Sequence, residues 1–158
     1  MKFFEEIHIG DRRELGRHSF TAEDIRSYAM RYDPQPFHLD EEAAARSHYG
    51  ALIASGWQTA VVCMRLMAEA NRRLAAEMAA RGEAAAKLGP SPGFRNLRWP
   101  KPVYAGDSIS YAGETIEKRE TESPPGWGLV VFHMRGTNQD GTLVIEFENA
   151  VLIERRPK

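Results

Sequence analysis

The apolar residues of this chain recur first with a helical period and later with a period of two, so helices should precede strands. Thr21-Ala22-Glu23-Asp24 is a capping-box-like start, and behind it Ile25, Tyr28, Ala29 and Tyr32 form one apolar stripe. Pro34 ends that helix because it lacks a donor and disfavours helical geometry at Asp33. Asp33 is thus placed at a helix C-terminus, where the dipole opposes a negative charge, a setting that suits a proton-handling group. Asp40, followed by Glu41 and Glu42, is an N-cap with an acidic first turn for a short helix reaching about Arg46.

Gly50 to Gly56 reads as a loop. From Trp57 to about Arg81 there is neither proline nor glycine, and a long helix is expected. Its first half (Ala60, Val61, Val62, Cys63, Met64, Leu66, Met67) is apolar on nearly every side and must be wrapped by other structure. Trp57, Met64 and Met67 are read as core. The second half, with Asn71, Arg72, Arg73 and Glu77, turns amphipathic and should emerge into water.

After a Gly/Pro loop the period shortens. Phe94 to Val103 is strand-like, but Pro100 and Pro102 demote it to an edge or bulged strand. Ser108 to Glu117, Leu129 to Thr137 and Thr142 to Arg155 read as further strands, the last two joined through Asp140-Gly141, a hairpin signal. Residues before Ser19 read as irregular chain with one or two short strands. The economical packing is α+β: an antiparallel sheet wrapped around a long central apolar helix, the architecture called a hotdog.

Composition narrows the function without naming it. At 158 residues, 42% hydrophobic and 27% charged, residues 1–158 are expected to form a single soluble domain. A net charge of -1 argues against a nucleic-acid partner. Acidic residues at Glu5 and Glu6 come too early for a signal peptide, and no apolar run is long enough to span a membrane, so a cytoplasmic location is expected. Cys63 is the sole cysteine and lies in an apolar run, so it is read as buried and inert. His18, His48 and His133 show no ligand spacing with one another or with His38, and no metal is expected.

The candidate chemistry lies in Asp33-Pro34-Gln35-Pro36-Phe37-His38 and in Ser55-Gly56 at the start of the long helix. A carboxylate and an imidazole can manage the protons of one water, and a helix N-terminus can stabilise an oxyanion. Together they point to adding or removing water at a polarised carbonyl compound. Fully extended, the Asp33 and His38 backbones would lie roughly 16 to 18 Å apart. Pro36-Phe37 can occupy the centre of a type I turn between Gln35 and His38, so the chain is expected to curl and return the imidazole to the carboxylate.

Asp33-x-x-Pro36-x-His38-x-Asp40, then Ala43, Gly50, Ile53-Ala54-Ser55-Gly56 and Leu97-Arg98-Trp99-x-x-Pro102-Val103-x-x-Gly106-Asp107, resemble in order the MaoC-like (R)-specific enoyl-CoA hydratase family. The resemblance runs over most of the chain from the first helix onward. It implies a hotdog protein, commonly a homodimer, that hydrates trans-2-enoyl-CoA or dehydrates a 3-hydroxyacyl-CoA, with no cofactor beyond the coenzyme A thioester substrate. Gln35 stands where the family often has Asn, and Ser55-Gly56 where many members read His-Gly. Neither departure falls on the acid-base pair, and both bear on pocket shape.

The resemblance implies Asp33 and His38 as catalytic residues, with Asp33 favoured as base and the division of proton transfers left open. It makes the Gly56 amide the candidate oxyanion donor, since helix N-termini present free N–H groups and glycine lets a ligand approach. Ser55 is taken as a substrate-binding neighbour. It has no triad around it, so a serine hydrolase is a poor reading. Arg98 and Lys101 are candidates for gripping coenzyme A phosphates, although a solvated strand face explains them nearly as well. Asp40 is kept as a cap outside the site. The rival readings are a hotdog acyl-CoA thioesterase and a non-catalytic acyl-CoA-binding subunit of a heteromer.

Overall fold

A computed structural model of the protein describes residues 1–157. Strand β1 (Arg12–Ser19) is followed by α1 (Ala22–Tyr32), two short helices α2 (Pro36–Leu39) and α3 (Glu41–Arg46), and the long helix α4 (Gly56–Ala80). Strands β2 (Gly93–Arg98), β3 (Ser108–Glu120), β4 (Trp127–Thr137) and β5 (Leu143–Glu154) complete the chain. The five strands form one sheet in the order β1-β3-β4-β5-β2, every pair antiparallel. This is the hotdog arrangement expected from the period change.

The caps act where the sequence puts them. The Thr21 side chain accepts from the Asp24 amide at 3.1 Å, and Asp40 Oδ1 accepts from the Ala43 amide at 2.7 Å. Each such cap is worth about 1 kcal/mol. On the inner face of the sheet, Ile109, Tyr111, Met134, Ile145 and Phe147 meet Val62, Cys63, Leu66 and Ala70 of α4 in the main core. The buried Tyr111 hydroxyl donates to the Thr59 carbonyl at 3.1 Å, so one polar contact in this core is satisfied and joins sheet to helix.

Two expectations are sharpened and one needs correction. The strand expected before Ser19 is Arg12 to Ser19, which pairs with β3 with a register shift between Glu14 and Gly16, and irregular chain precedes it. Its apolar pattern is weak because it is an edge strand with only Leu15 buried, so its hydrogen bonds to β3, not its side chains, hold it in place. β4 and β5 form the hairpin expected through Asp140-Gly141, its turn running from Asn138 to Thr142. Asn138 closes it by accepting at Oδ1 from the Asp140 and Thr142 amides, while Gly141 takes φ +77°.

The correction concerns α4, which is not wrapped on all sides. Trp57 is 52% exposed, Val61 53% and Met64 43%, so Trp57 and Met64 are not core. Their spacing places them on one stripe of the helix. Phe94, on the edge strand β2, is exposed as well. Met67 is half-buried. No helix among the described residues is long and apolar enough to cross a membrane.

Burial alone pushes the Cys63 thiol up to about 12. At about pH 8 the native protein should therefore resist iodoacetamide, and the same thiol should alkylate rapidly in guanidinium chloride. Mass spectrometry of the two reactions checks this, and rapid native labelling would contradict the placement of Cys63 against the sheet.

Candidate active site

Asp33 ends α1, its amide still donating to the Ala29 carbonyl at 3.0 Å. Pro34 then stops the helix, and the chain turns through Gln35 and Pro36 into α2. The His38 amide donates to the Gln35 carbonyl at 2.9 Å, closing the turn that the Pro36-Phe37 pair suggested. That curl brings His38 Nε2 to 3.4 Å from Asp33 Oδ2. A six-residue segment whose ends would lie roughly 16 to 18 Å apart when extended thus holds the two side chains in contact.

A second segment locks both residues. Leu52 to Ala54 runs beside residues 103 to 105, with the Ala54 amide donating to the Val103 carbonyl at 2.8 Å and the Ala105 amide to the Leu52 carbonyl at 3.0 Å. This short ladder presents the Ile53 carbonyl to His38 Nδ1 at 2.8 Å, and Ser55 to Asp33. The Ser55 hydroxyl donates to Asp33 Oδ2 at 2.6 Å and accepts from the Trp57 amide at 3.2 Å. Ser55 therefore N-caps α4 and orients the carboxylate at once.

The hydrogen bonds decide the tautomer of His38. A carbonyl only accepts, so Nδ1 must carry a proton. In the neutral ring Nε2 is then a lone pair facing Asp33 Oδ2, which is also an acceptor. Two acceptors at 3.4 Å need a shared proton or a donor, such as a water, between them. His38 is 5% exposed, whereas the Asp33 side chain retains 24% of its surface. The carboxylate is the reachable member and the imidazole the fixed one. Beside them burial, followed by the negative charge of Asp33, raises the Tyr28 phenol above its usual range.

Gly56 is the first residue of α4, so its amide has no partner within the helix. The space above its Cα belongs to Trp99: a Cβ added at Gly56 would lie 2.6 Å from the Trp99 ring. Glycine is needed here for close indole packing, a reason different from the ligand approach expected. Trp99 also stands edge-on to Trp57, with ring centroids 5.3 Å apart. Arg98 and Lys101 flank Trp99 in the chain and are both exposed, so the segment that borders the helix start carries two solvent-facing cations.

The site thus assembles Asp33, His38, Ser55 and Gly56 and sets Arg98 and Lys101 on the bordering segment. Sequence reasoning missed the Ile53 carbonyl, which fixes the imidazole tautomer, and the role of Ser55 as the partner of Asp33. A backbone acceptor has no residue signature, and no spacing rule links Ser55 to Asp33. Trp99 stood in the motif, yet only its packing on Gly56 reveals what it does.

Comparison with known proteins places this geometry in context. The family model described as "MaoC like domain" matches residues 6–125. The crystal structure of the MaoC-like dehydratase from Rhodospirillum rubrum is 33% identical, with 100% of each chain covered and a TM-score of 0.81. The (R)-hydratase from A. caviae involved in PHA biosynthesis shares the fold at 21% identity and a TM-score of 0.66, with 97% of this chain and 99% of that one covered. Uncharacterized protein YdeM of Bacillus subtilis (strain 168) is 26% identical over 151 residues, 96% of this chain and 98% of that protein.

Gly56→Ala should cost about 1–3 kcal/mol, because the new methyl must displace the Trp99 ring. Denaturant midpoints followed by far-ultraviolet circular dichroism test this. In a Trp99→Ala background the same substitution should be nearly neutral, and an undiminished penalty there would show that the indole is not the obstacle.

Proposed function

The chain belongs to the MaoC-like domain family, and from that premise we propose that it adds or removes water across the 2,3 bond of an enoyl-coenzyme A thioester. The observation that carries the reading is the contact between Asp33 and His38, with Nδ1 anchored on Ile53 and Nε2 turned to the carboxylate. In hydration, a water held by the pair gives a proton to the Asp33 carboxylate as its oxygen bonds to the β-carbon. The π electrons shift toward the thioester oxygen. One proton returns from the pair to the α-carbon, so the enzyme regains its starting protonation and the product gains one water. Dehydration is the reverse.

The thioester oxygen gains negative charge on the way and requires donors in place beforehand. The Gly56 amide, at the positive end of a 25-residue helix, fills that role in this reading. Ser55 contributes by holding Asp33 in one orientation rather than by touching substrate. Arg98 and Lys101 take the coenzyme A phosphates, with the charge and the exposure that such a contact needs.

A homodimer completes the proposal. Both sheet edges carry charges, Arg12, Glu14 and Arg17 on β1 and Arg95 and Arg98 on β2, and β2 adds the exposed Phe94. The first half of α4 presents the open stripe Trp57, Val61 and Met64. A second copy packed on this face would remove that stripe from water. Val61→Asp combined with Met64→Asp should convert a dimer to a folded monomer in sedimentation velocity, and an unchanged sedimentation coefficient would rule this face out.

Activity is tested with crotonyl-CoA by loss of enoyl-thioester absorbance, alongside a free-thiol assay. Wild type should consume the enoyl signal without releasing thiol. Asp33→Asn and His38→Ala, each shown folded by circular dichroism, should fall by about 10²–10⁴-fold. Thiol release would assign a thioesterase instead, and binding without turnover a non-catalytic subunit.

A further inference from the structure

Gly56 and Trp99 meet at the start of α4, and each brings an N–H donor that the rest of the chain leaves unused. The Gly56 amide is the first of the helix and has no intrahelical acceptor. The Trp99 indole lies against the Gly56 Cα, its ring nitrogen 2.9 Å from the position a Cβ would take. Among the described residues neither Trp99 Nε1 nor the Gly56 amide donates a hydrogen bond. A ring that served only to cover Gly56 would need no N–H, and a phenyl group would do. Trp99 is also 40% exposed, so part of the ring is open to a ligand.

The two nitrogens are close enough to act on one atom. A backbone nitrogen lies about 2.5 Å from its own Cβ by covalent geometry, so the Gly56 nitrogen and Trp99 Nε1 are at most roughly 5.4 Å apart. Donors in an oxyanion site stand about 2.7–3.1 Å from the oxygen they stabilise, so a pair on one oxygen can span up to about 6 Å. The indole is also held in place. Arg98 before it pairs with Glu146 of β5, and Pro100 and Pro102 stiffen the chain after it. The Val103 carbonyl then accepts from the Ala54 amide at 2.8 Å, in the ladder that sets Ser55 on Asp33. Trp57 stands edge-on to the ring, the two planes at 74°. A donor fixed in this way has little to reorganise when charge arrives, which is the condition for electrostatic catalysis.

We propose that Trp99 is a catalytic residue, its indole Nε1–H donating with the Gly56 amide to the thioester oxygen, a role that rests on the hydratase reading of Asp33 and His38. As the water oxygen bonds to the β-carbon, the π electrons move toward the thioester oxygen and both donors tighten on it. They relax when the α-carbon takes its proton. No proton leaves the indole, so the proton count of the reaction is unchanged. An indole N–H donates, never accepts, and stays protonated wherever a carboxylate and an imidazole can exchange protons.

Trp99→Phe keeps a ring on Gly56 and removes the donor. Its kcat for crotonyl-CoA should fall by about 10²-fold with KM changed by less than about threefold. Its pH profile should not move, because Asp33 and His38 are untouched. Replacement of Trp99 by benzothienylalanine, which puts sulfur where the N–H stood and keeps the shape, should give the same loss and separates hydrogen bonding from packing. Infrared difference spectra of crotonyl-CoA labelled at the carbonyl carbon, bound to Asp33→Asn so that it is not consumed, read the contact directly. The carbonyl stretch should lie higher in Asp33→Asn/Trp99→Phe than in Asp33→Asn, since one donor fewer polarises the bond less. With an active wild type, a kcat within about twofold in the benzothienylalanine protein would overturn the role of Trp99 and leave the hydratase reading intact. An unchanged carbonyl stretch would overturn it as well. A wild type that leaves the enoyl absorbance of crotonyl-CoA intact would overturn the hydratase reading first, and this role with it.

Discussion

Burial of one side of α4 against the inner face of the sheet is the constraint on which the other features rest. Val62, Cys63, Leu66 and Ala70 have no other apolar partner of that extent, and a core of this kind contributes roughly 1.5–3 kcal/mol per large side chain. The Tyr111 hydroxyl on the Thr59 carbonyl joins the helix to β3 close to its first turn. Once α4 is seated, the position of its N-terminus follows, and with it the place where Ser55 and Gly56 stand.

From that point the site is a chain of hydrogen bonds with little freedom. The Ile53 carbonyl orients His38, His38 faces Asp33, Ser55 donates to Asp33, and the Trp57 amide donates to Ser55. Such strings strengthen in a partly desolvated setting, and each member is held by backbone that is itself in a ladder or a helix turn. Two side chains from one loop and one from a helix cap therefore meet in the same small volume without any of them being free to rotate away. A water-handling pair needs that fixity, because proton transfer falls off steeply with misplacement.

The rest of the molecule shows two unfilled surfaces of opposite character. The stripe through Trp57, Val61 and Met64 is apolar and open and suits a large apolar partner. The space under the second half of α4 opens in part to solvent and carries the half-buried Arg13 on one wall. One helix borders both: its first half presents the stripe and carries the Ser55 cap that holds Asp33, and its second half roofs the cavity.

Much of this was legible in local pattern, because caps, prolines and periodicity act within a few residues. Thr21, Pro34 and Asp40 bounded the helices, the Pro36-Phe37 turn foretold the return of His38 to Asp33, and the Asp/Pro/His spacing announced the family. What stayed hidden depended on contacts between distant segments. β1 exists because β3 supplies its hydrogen bonds, although its own residues scarcely alternate. Gly56 is required by an indole from Trp99, far along the chain, and Ser55 is placed on Asp33 by the ladder between residues 52–54 and 103–105. A helix apolar on all sides signals that it must be covered, but composition alone cannot say whether a sheet of the same chain or another surface does the covering. Residue order thus decided the local turns and the chemistry available, and tertiary packing decided which groups meet, because long-range contacts depend on where whole elements come to rest.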